Sequence, residues 1–119
     1  MKIFTSGIFV NQMREKRRYP RVDLELPVYL RHNGRFIPAT ALNISCGGMY
    51  IKTGSTDISD NSPVEVIFDL DKETRDMSIL GNIRHRSHDG SKMSFGIRFS
   101  NLFSVSKKTI DQFVAANMN

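Results

Sequence analysis

Two short stretches of the sequence carry side chains suited to binding a phosphate-bearing ligand. The first, residues 14–21, is called the basic arm here, and its five cations are Arg14, Lys16, Arg17, Arg18 and Arg21. Arginine can bind a phosphate through two parallel hydrogen bonds and can stack its plane on an aromatic ring. Pro20 fixes its own φ and disfavours a helical Tyr19, which predicts an extended arm. Taken alone, such a run of charge is more often a solvated linker than a binding site.

The second stretch, "NISCGG" at residues 43–48, is called the elbow here and places an amide and a hydroxyl just before two glycines. Asn43 and Ser45 have the same strand parity, so both side chains leave the strand on one face. Gly47 and Gly48 permit a sharp turn and the close approach of a ligand to the backbone. These residue types also end strands for purely local reasons, so the elbow alone is a weak signal.

The placement of the two stretches makes them more informative together. "HNG" at residues 32–34 is a tight hairpin signal between the strand that follows the basic arm and the strand that ends at the elbow. In an antiparallel hairpin the end of the second strand lies beside the start of the first. The cations of the arm are therefore predicted to lie next to the amide and hydroxyl of the elbow, a combination that suits a nucleotide.

Period-two alternation of apolar residues predicts six strands, each with one buried face. The segments are residues 24–30, 35–45, 48–53, 63–70, 76–86 and 92–99. Strict alternation in the second segment predicts one shared face for Phe36, Pro38, Thr40, Leu42 and Ile44. "SHDG" at residues 87–90 is predicted to join the last two strands as a tight turn. Because an open six-stranded sheet would expose two long edges, a closed antiparallel barrel is favoured over an open sheet.

The tail changes to a helical period, and an amphipathic helix is predicted over about residues 105–117. The expected fold class is all-β with one flanking helix: a six-stranded antiparallel barrel followed by a C-terminal helix. Residues 14–119 are expected to form this single domain, after an N-terminal arm, residues 1–13, of unknown structure. The sequence has 119 residues, with 17 Lys and Arg against 12 Asp and Glu, which permits an anionic partner.

A single cysteine excludes an internal disulfide and fits a reduced, cytoplasmic setting. No apolar run approaches the roughly 20 residues of a membrane span, and the N-terminus does not read as a signal peptide. No carboxylate pair or serine–histidine grouping indicates catalysis, so no enzyme is expected. His85 and His88 are predicted to point to opposite faces of a strand, so no metal site is expected either. Cys46 is interpreted as a packing residue.

The pair Arg17-x-x-x-Arg21 and Asn43-x-Ser45-x-x-Gly48 resembles the RxxxR and (D/N)xSxxG motifs of PilZ domains, bacterial receptors for cyclic di-GMP. The similarity extends over about residues 15–103, including "RRYPRVDLELPVYL", "ATALNISCGGMYIKT" and "FGIRFSNL". Either motif alone is weak, but both in order form a strong signal. The resemblance implies a six-stranded barrel with a flanking helix, cyclic di-GMP as the ligand, no cofactor and no catalysis.

The resemblance also implies roles for residues at matching positions. The implied cyclic di-GMP ligands are Arg17, Arg18, Arg21, Asn43, Ser45 and Gly48. Additional candidates are Arg14, Lys16 and Gly47, and Lys16 is expected to reach the phosphate of a second ligand copy, giving two ligands per chain. Asn43 stands where the family also uses Asp, and a neutral amide lacks the charge-assisted bond that a carboxylate makes to guanine.

Function is predicted as a receptor whose signal is carried by its N-terminus. Residues 1–20 are expected to be mobile without ligand and to become ordered on binding, which a downstream protein partner then reads. Two other functions stay open: a small basic barrel that binds single-stranded nucleic acid, and a protein adaptor that binds no nucleotide. Charge concentrated in one arm, rather than along a groove, argues against the nucleic-acid alternative.

Overall fold

A computed structural model describes residues 19–54, 57–100, 102 and 104–118. Within these ranges the chain forms six strands and one helix, and the strands close into an antiparallel barrel in the order β1-β2-β3-β6-β5-β4. The elements are β1 Arg21–His32, β2 Arg35–Ser45, β3 Gly48–Gly54, β4 Pro63–Phe68, β5 Met77–Asp89, β6 Lys92–Phe99 and α1 Ser104–Asn117. The predicted fold class is confirmed.

The barrel consists of two three-stranded meanders joined along two seams. Strands β1, β2 and β3 pair in chain order, and so do β4, β5 and β6. The seams are the non-sequential pairs, β3 with β6 and β1 with β4. Sequence alternation predicts the strands but does not predict this order, because the seams join segments that are distant in the chain.

Tight turns close the two hairpins that the sequence signals. Asn33 and Gly34 have φ of 50° and 78°, the left-handed pair that a two-residue hairpin turn requires. The second turn lies later than the predicted residues 87–90: β5 continues through Asp89, which pairs with Lys92, so the turn is Gly90–Ser91. His32, which the sequence places in a turn, is the buried last residue of β1, and its Nδ1 lies 3.1 Å from the Pro63 carbonyl.

The strict alternation predicted for residues 35–45 is wrong. Phe36 is 61% exposed, whereas Ala41 and Ile44 are fully buried although their positions differ in parity. Two irregularities explain the change: the register shifts between Asp23 and Leu26 in β1 and between Ala41 and Asn43 in β2. An extra residue in a strand reverses which face the following side chains take, so Leu42 leaves the core.

The C-terminal helix lies against β1 and β2 and completes the core. Ile110 and Val114 are buried with the inward residues of the strands, among them Leu30, Ile44 and Phe95. Ile58, in the connection between β3 and β4, is also fully buried in this core. In the described residues, no helix has both the length and the apolar character to span a membrane.

Gly48 lies at the seam between β3 and β6, where the backbones approach closely. A Cβ at this position would lie 1.9 Å from the Ile97 carbonyl oxygen, well inside any allowed contact. Glycine is therefore required by the pairing itself, before any ligand is considered.

We expect Gly48→Ala to destabilise the barrel by about 3 kcal/mol, because the seam must separate to admit a methyl group. Urea denaturation measures this change. Gly54→Ala, in the same strand, is the matched control, because a Cβ there meets no atom within 4 Å. Equal midpoints for the two variants would contradict the steric requirement.

Candidate functional site

The elbow is built where β1 starts and β2 ends. Arg21 is the register partner of Ser45, so the start of β1 lies beside the end of β2, as the hairpin predicts. The Ser45 hydroxyl accepts a hydrogen bond from the Gly47 N–H at 3.0 Å, and the Asn43 Oδ1 accepts one from the Tyr50 N–H at 3.1 Å. Both polar side chains therefore hold the backbone of the elbow in shape, in addition to any contact with a ligand.

The elbow borders a pocket of about 490 Å3, called the elbow pocket below. Five of the sequence-predicted site residues line it: Arg21, Asn43, Ser45, Gly47 and Gly48. The other four, Arg14, Lys16, Arg17 and Arg18, lie outside the described residues. Tyr19 marks where the basic arm enters the pocket, and its ring lies against Gly47, where a Cβ would be only 2.9 Å from the Tyr19 Cδ2.

The opposite wall of the elbow pocket was missed by sequence reasoning. It is formed by outward residues of β3, β5 and β6: Tyr50, Arg84, His85, Gly96 and Arg98. Strand parity does place Arg98 and Arg84 on the outer face. The sequence does not predict the pairing of β3 with β6, in which Gly48 pairs with Arg98 and Tyr50 with Gly96.

Gly96 forms the floor between Tyr50 and Arg84. A Cβ there would lie 3.7 Å from the Arg84 carbonyl oxygen, an ordinary contact, so backbone packing does not require glycine at this position. Its missing side chain instead keeps the floor of the pocket low. His85 lies beside it with a φ of 55°, at an irregularity in β5 that shifts the register between Arg84 and Ser87. Positive φ in a non-glycine residue is costly and is often found at functional sites.

The electrostatics of the elbow pocket favour an anion. Ion pairs within the described residues join Arg31 to Glu65, Arg35 to Asp57 and Lys107 to Asp111. None of them uses Arg21, Arg84 or Arg98, so these three guanidinium groups carry their charge into the pocket without a carboxylate from the described chain. Over the same residues, no group of three His, Cys, Asp or Glu side chains could hold a metal ion.

Cys46 fastens the elbow to α1, which goes beyond the packing role predicted for it. Its buried thiol donates to the Asp111 Oδ1 at 2.8 Å and lies 3.3 Å from the Lys107 carbonyl oxygen. Burial, followed by the hydrogen bond to Asp111, raises the pKa of Cys46 to about 12. The thiol and the Lys107 ammonium, 3.0 Å from the other carboxylate oxygen, lower the pKa of Asp111.

Comparison with known proteins gives the following matches. A family model described as PilZ domain matches residues 15–116. A search of curated proteins found no match. Among solved structures, the chain is similar to the inhibitor of motility MotI/DgrA of Bacillus subtilis, with a TM-score of 0.71 and 19% identity, covering 87% of this chain and 51% of that one.

Two similar structures are described as complexes with cyclic di-GMP. The PilZ domain of YcgR from Escherichia coli gives a TM-score of 0.66 at 12% identity, covering 87% of this chain and 92% of that chain. PlzA of Borreliella burgdorferi gives 0.62 at 16% identity, covering 83% and 41%. This chain thus spans about half the length of MotI/DgrA and less of PlzA. At these identities the likeness shows the fold.

We expect Cys46 in the folded protein to react with N-ethylmaleimide at pH 8 at least about a hundredfold more slowly than in urea, because the thiolate is the nucleophile. Mass spectrometry measures labelling of this single cysteine.

The raised pKa of Cys46 also affects stability. The neutral thiol stabilises the fold below the unfolded pKa of 9.0, and this stabilisation is lost as the pH rises towards 12.

Asp111→Asn weakens the acceptor of the thiol and is expected to speed labelling. Folded wild-type protein that labels as fast as unfolded protein would contradict the described burial of Cys46.

Proposed function

Because the chain belongs to the PilZ domain family, we propose that it is a non-catalytic receptor for cyclic di-GMP. The observation that supports this most directly is the gathering of Arg21, Asn43, Ser45 and Gly48 around one pocket, although they come from three strands. Similar structures, those of YcgR and PlzA, are described as complexes with the same ligand.

The roles proposed for these residues follow from their chemistry. Arg21, together with Arg17 and Arg18 of the basic arm, binds phosphate and stacks on guanine. Asn43 already accepts a hydrogen bond from Tyr50 through its Oδ1, so its Nδ2 donates to the ligand. Gly47 and Gly48 keep the backbone low enough for the ligand to approach it.

The basic arm becomes ordered when the ligand binds, and this is the proposed signal. Five cations within residues 14–21 repel one another, and the ligand phosphates cancel that repulsion. Tyr19 packs against Gly47, which ties the end of the arm to the elbow. The ordering is therefore proposed for residues 14–18, and a downstream protein partner in the bacterial cytoplasm reads the new position of the arm.

Arg17→Ala and Arg21→Ala are each expected to weaken cyclic di-GMP binding ten- to a hundredfold. Each removes charge-assisted hydrogen bonds worth roughly 1.5–3 kcal/mol, and 1.4 kcal/mol is tenfold in affinity. Isothermal titration measures the affinity of each variant. In the wild type it is also expected to give a ratio of two cyclic di-GMP molecules per protein chain, with Lys16 binding the phosphate of the second copy. Arg75→Ala, an exposed arginine in the β4–β5 connection, is the charge-matched control.

Unchanged affinity in the Arg17→Ala/Arg21→Ala double variant would end this assignment. Titration with a short single-stranded oligonucleotide tests the nucleic-acid alternative, which the wall arginines Arg84 and Arg98 make worth testing. These residues show that the positive charge is not confined to the arm. Binding of the oligonucleotide, and not of cyclic di-GMP, would replace the proposal.

Hydrogen exchange tests the ordering of the arm. Backbone amides of residues 14–18 are expected to exchange at least about tenfold more slowly with saturating cyclic di-GMP, since ordering protects them. Amides of β4, on the far side of the barrel, are the internal control. Equal protection of the arm with and without ligand would exclude the ordering signal while leaving binding itself intact.

A further inference from the structure

A second pocket lies beyond the far wall of the elbow pocket. It measures about 320 Å3, is called the distal pocket here, and is lined by Asn61, Asn82, Arg84, Arg98, Phe99 and Ser100. Arg84 and Arg98 line both pockets, so this arginine pair stands between them. The two pockets are therefore parts of one groove across β2, β3, β6 and β5, roughly 15 Å wide at about 4.8 Å per strand.

The polar groups of the distal pocket are only weakly engaged with one another. The Asn82 Nδ2 donates to the Asn61 carbonyl at 3.4 Å, and the Ser100 hydroxyl donates to the Asn82 Oδ1 at 3.4 Å. Both distances lie beyond the usual range for hydrogen bonds of these types. Replacing these two weak hydrogen bonds by bonds to a ligand therefore costs little free energy.

The frame around these weak contacts is firmly held. The Asn61 N–H donates to the Ile83 carbonyl at 2.7 Å, and the Ser100 N–H donates to the Leu80 carbonyl at 2.8 Å. The Arg86 guanidinium, in addition, donates to the Ile58 carbonyl at 2.7 Å. The loop that carries Asn61 is thus fixed to β5, and the distal pocket is formed in advance, which lowers the cost of binding.

We propose that the distal pocket takes a guanine base of cyclic di-GMP, with Arg84 and Arg98 binding the phosphate next to it. This inference rests on the proposed function and extends it to a second base. Cyclic di-GMP has two guanines and two phosphates, so a ligand seated at the elbow has further groups to place. The arginine pair lies between the two base pockets, where a phosphate between two bases belongs.

The side chains of the distal pocket can pair with the edge of a guanine. Guanine presents acceptors at O6 and N7 and donors at N1 and N2, and the Asn82 amide offers one acceptor and two donors to match. The Ser100 hydroxyl can donate or accept. Phe99 supplies an apolar wall for the base.

The test is a titration of the full chain with cyclic di-GMP. We expect Asn82→Ala to weaken binding three- to tenfold, as for one hydrogen bond, and Arg84→Ala ten- to a hundredfold. Two matched controls, Asn117→Ala near the end of α1 and Arg75→Ala, are expected to bind as the wild type does. Asn82 and Arg84 lie on the outer face of β5, so neither substitution is expected to unfold the barrel. Thermal melts of all variants check this.

Nuclear magnetic resonance gives a second readout that needs no variant. Saturating cyclic di-GMP is expected to shift the side-chain amide signal of Asn82 and the backbone amide of Ser100 together with that of Ser45. Wild-type protein that binds while both variants keep full affinity, or while the Asn82 signal stays unmoved, would overturn the distal pocket alone. Failure of the wild type to bind would overturn the proposed function as well.

Discussion

The close approach of the Gly48 backbone to the Ile97 carbonyl determines how the rest of the site is arranged. It lets β3 pair with β6, a strand more than 40 positions later in the sequence. That pairing brings Arg98 beside the elbow and, through the next strand, Arg84 beside Gly96. A side chain at position 48 would separate the seam and, with it, the two walls of the elbow pocket. The motif glycine is therefore a packing requirement with a functional consequence.

The sequence predicts the local parts of this protein well. The Asn33–Gly34 turn, the position of the start of β1 beside the end of β2 and the inward face of β1 follow from residue types and spacing. Alternation fails in β2, because a bulge is decided by packing against both neighbouring strands, and Leu42 consequently leaves the core. Bulges of this kind leave no clear mark in a single sequence.

The far wall could not be predicted for a different reason. Arg84, Arg98 and Gly96 look like ordinary outward positions of two strands until the order of the strands is known. Cys46 is a similar case, since its partner Asp111 lies 65 positions later in the chain. The family motifs identify the near wall because their residues are close in sequence, whereas residues contributed across the seam require the three-dimensional structure.

The two-meander construction of the barrel has a consequence for how the protein folds. Each meander contains only neighbouring strands, so it can form through local contacts, whereas both seams join distant segments and must close against a larger entropic cost. The groove crosses the β3–β6 seam, with the elbow on one meander and the arginine pair on the other. A molecule bound there contacts both meanders at once. Because it binds the closed barrel and not the separate meanders, it stabilises the closed barrel and slows the separation of the two meanders.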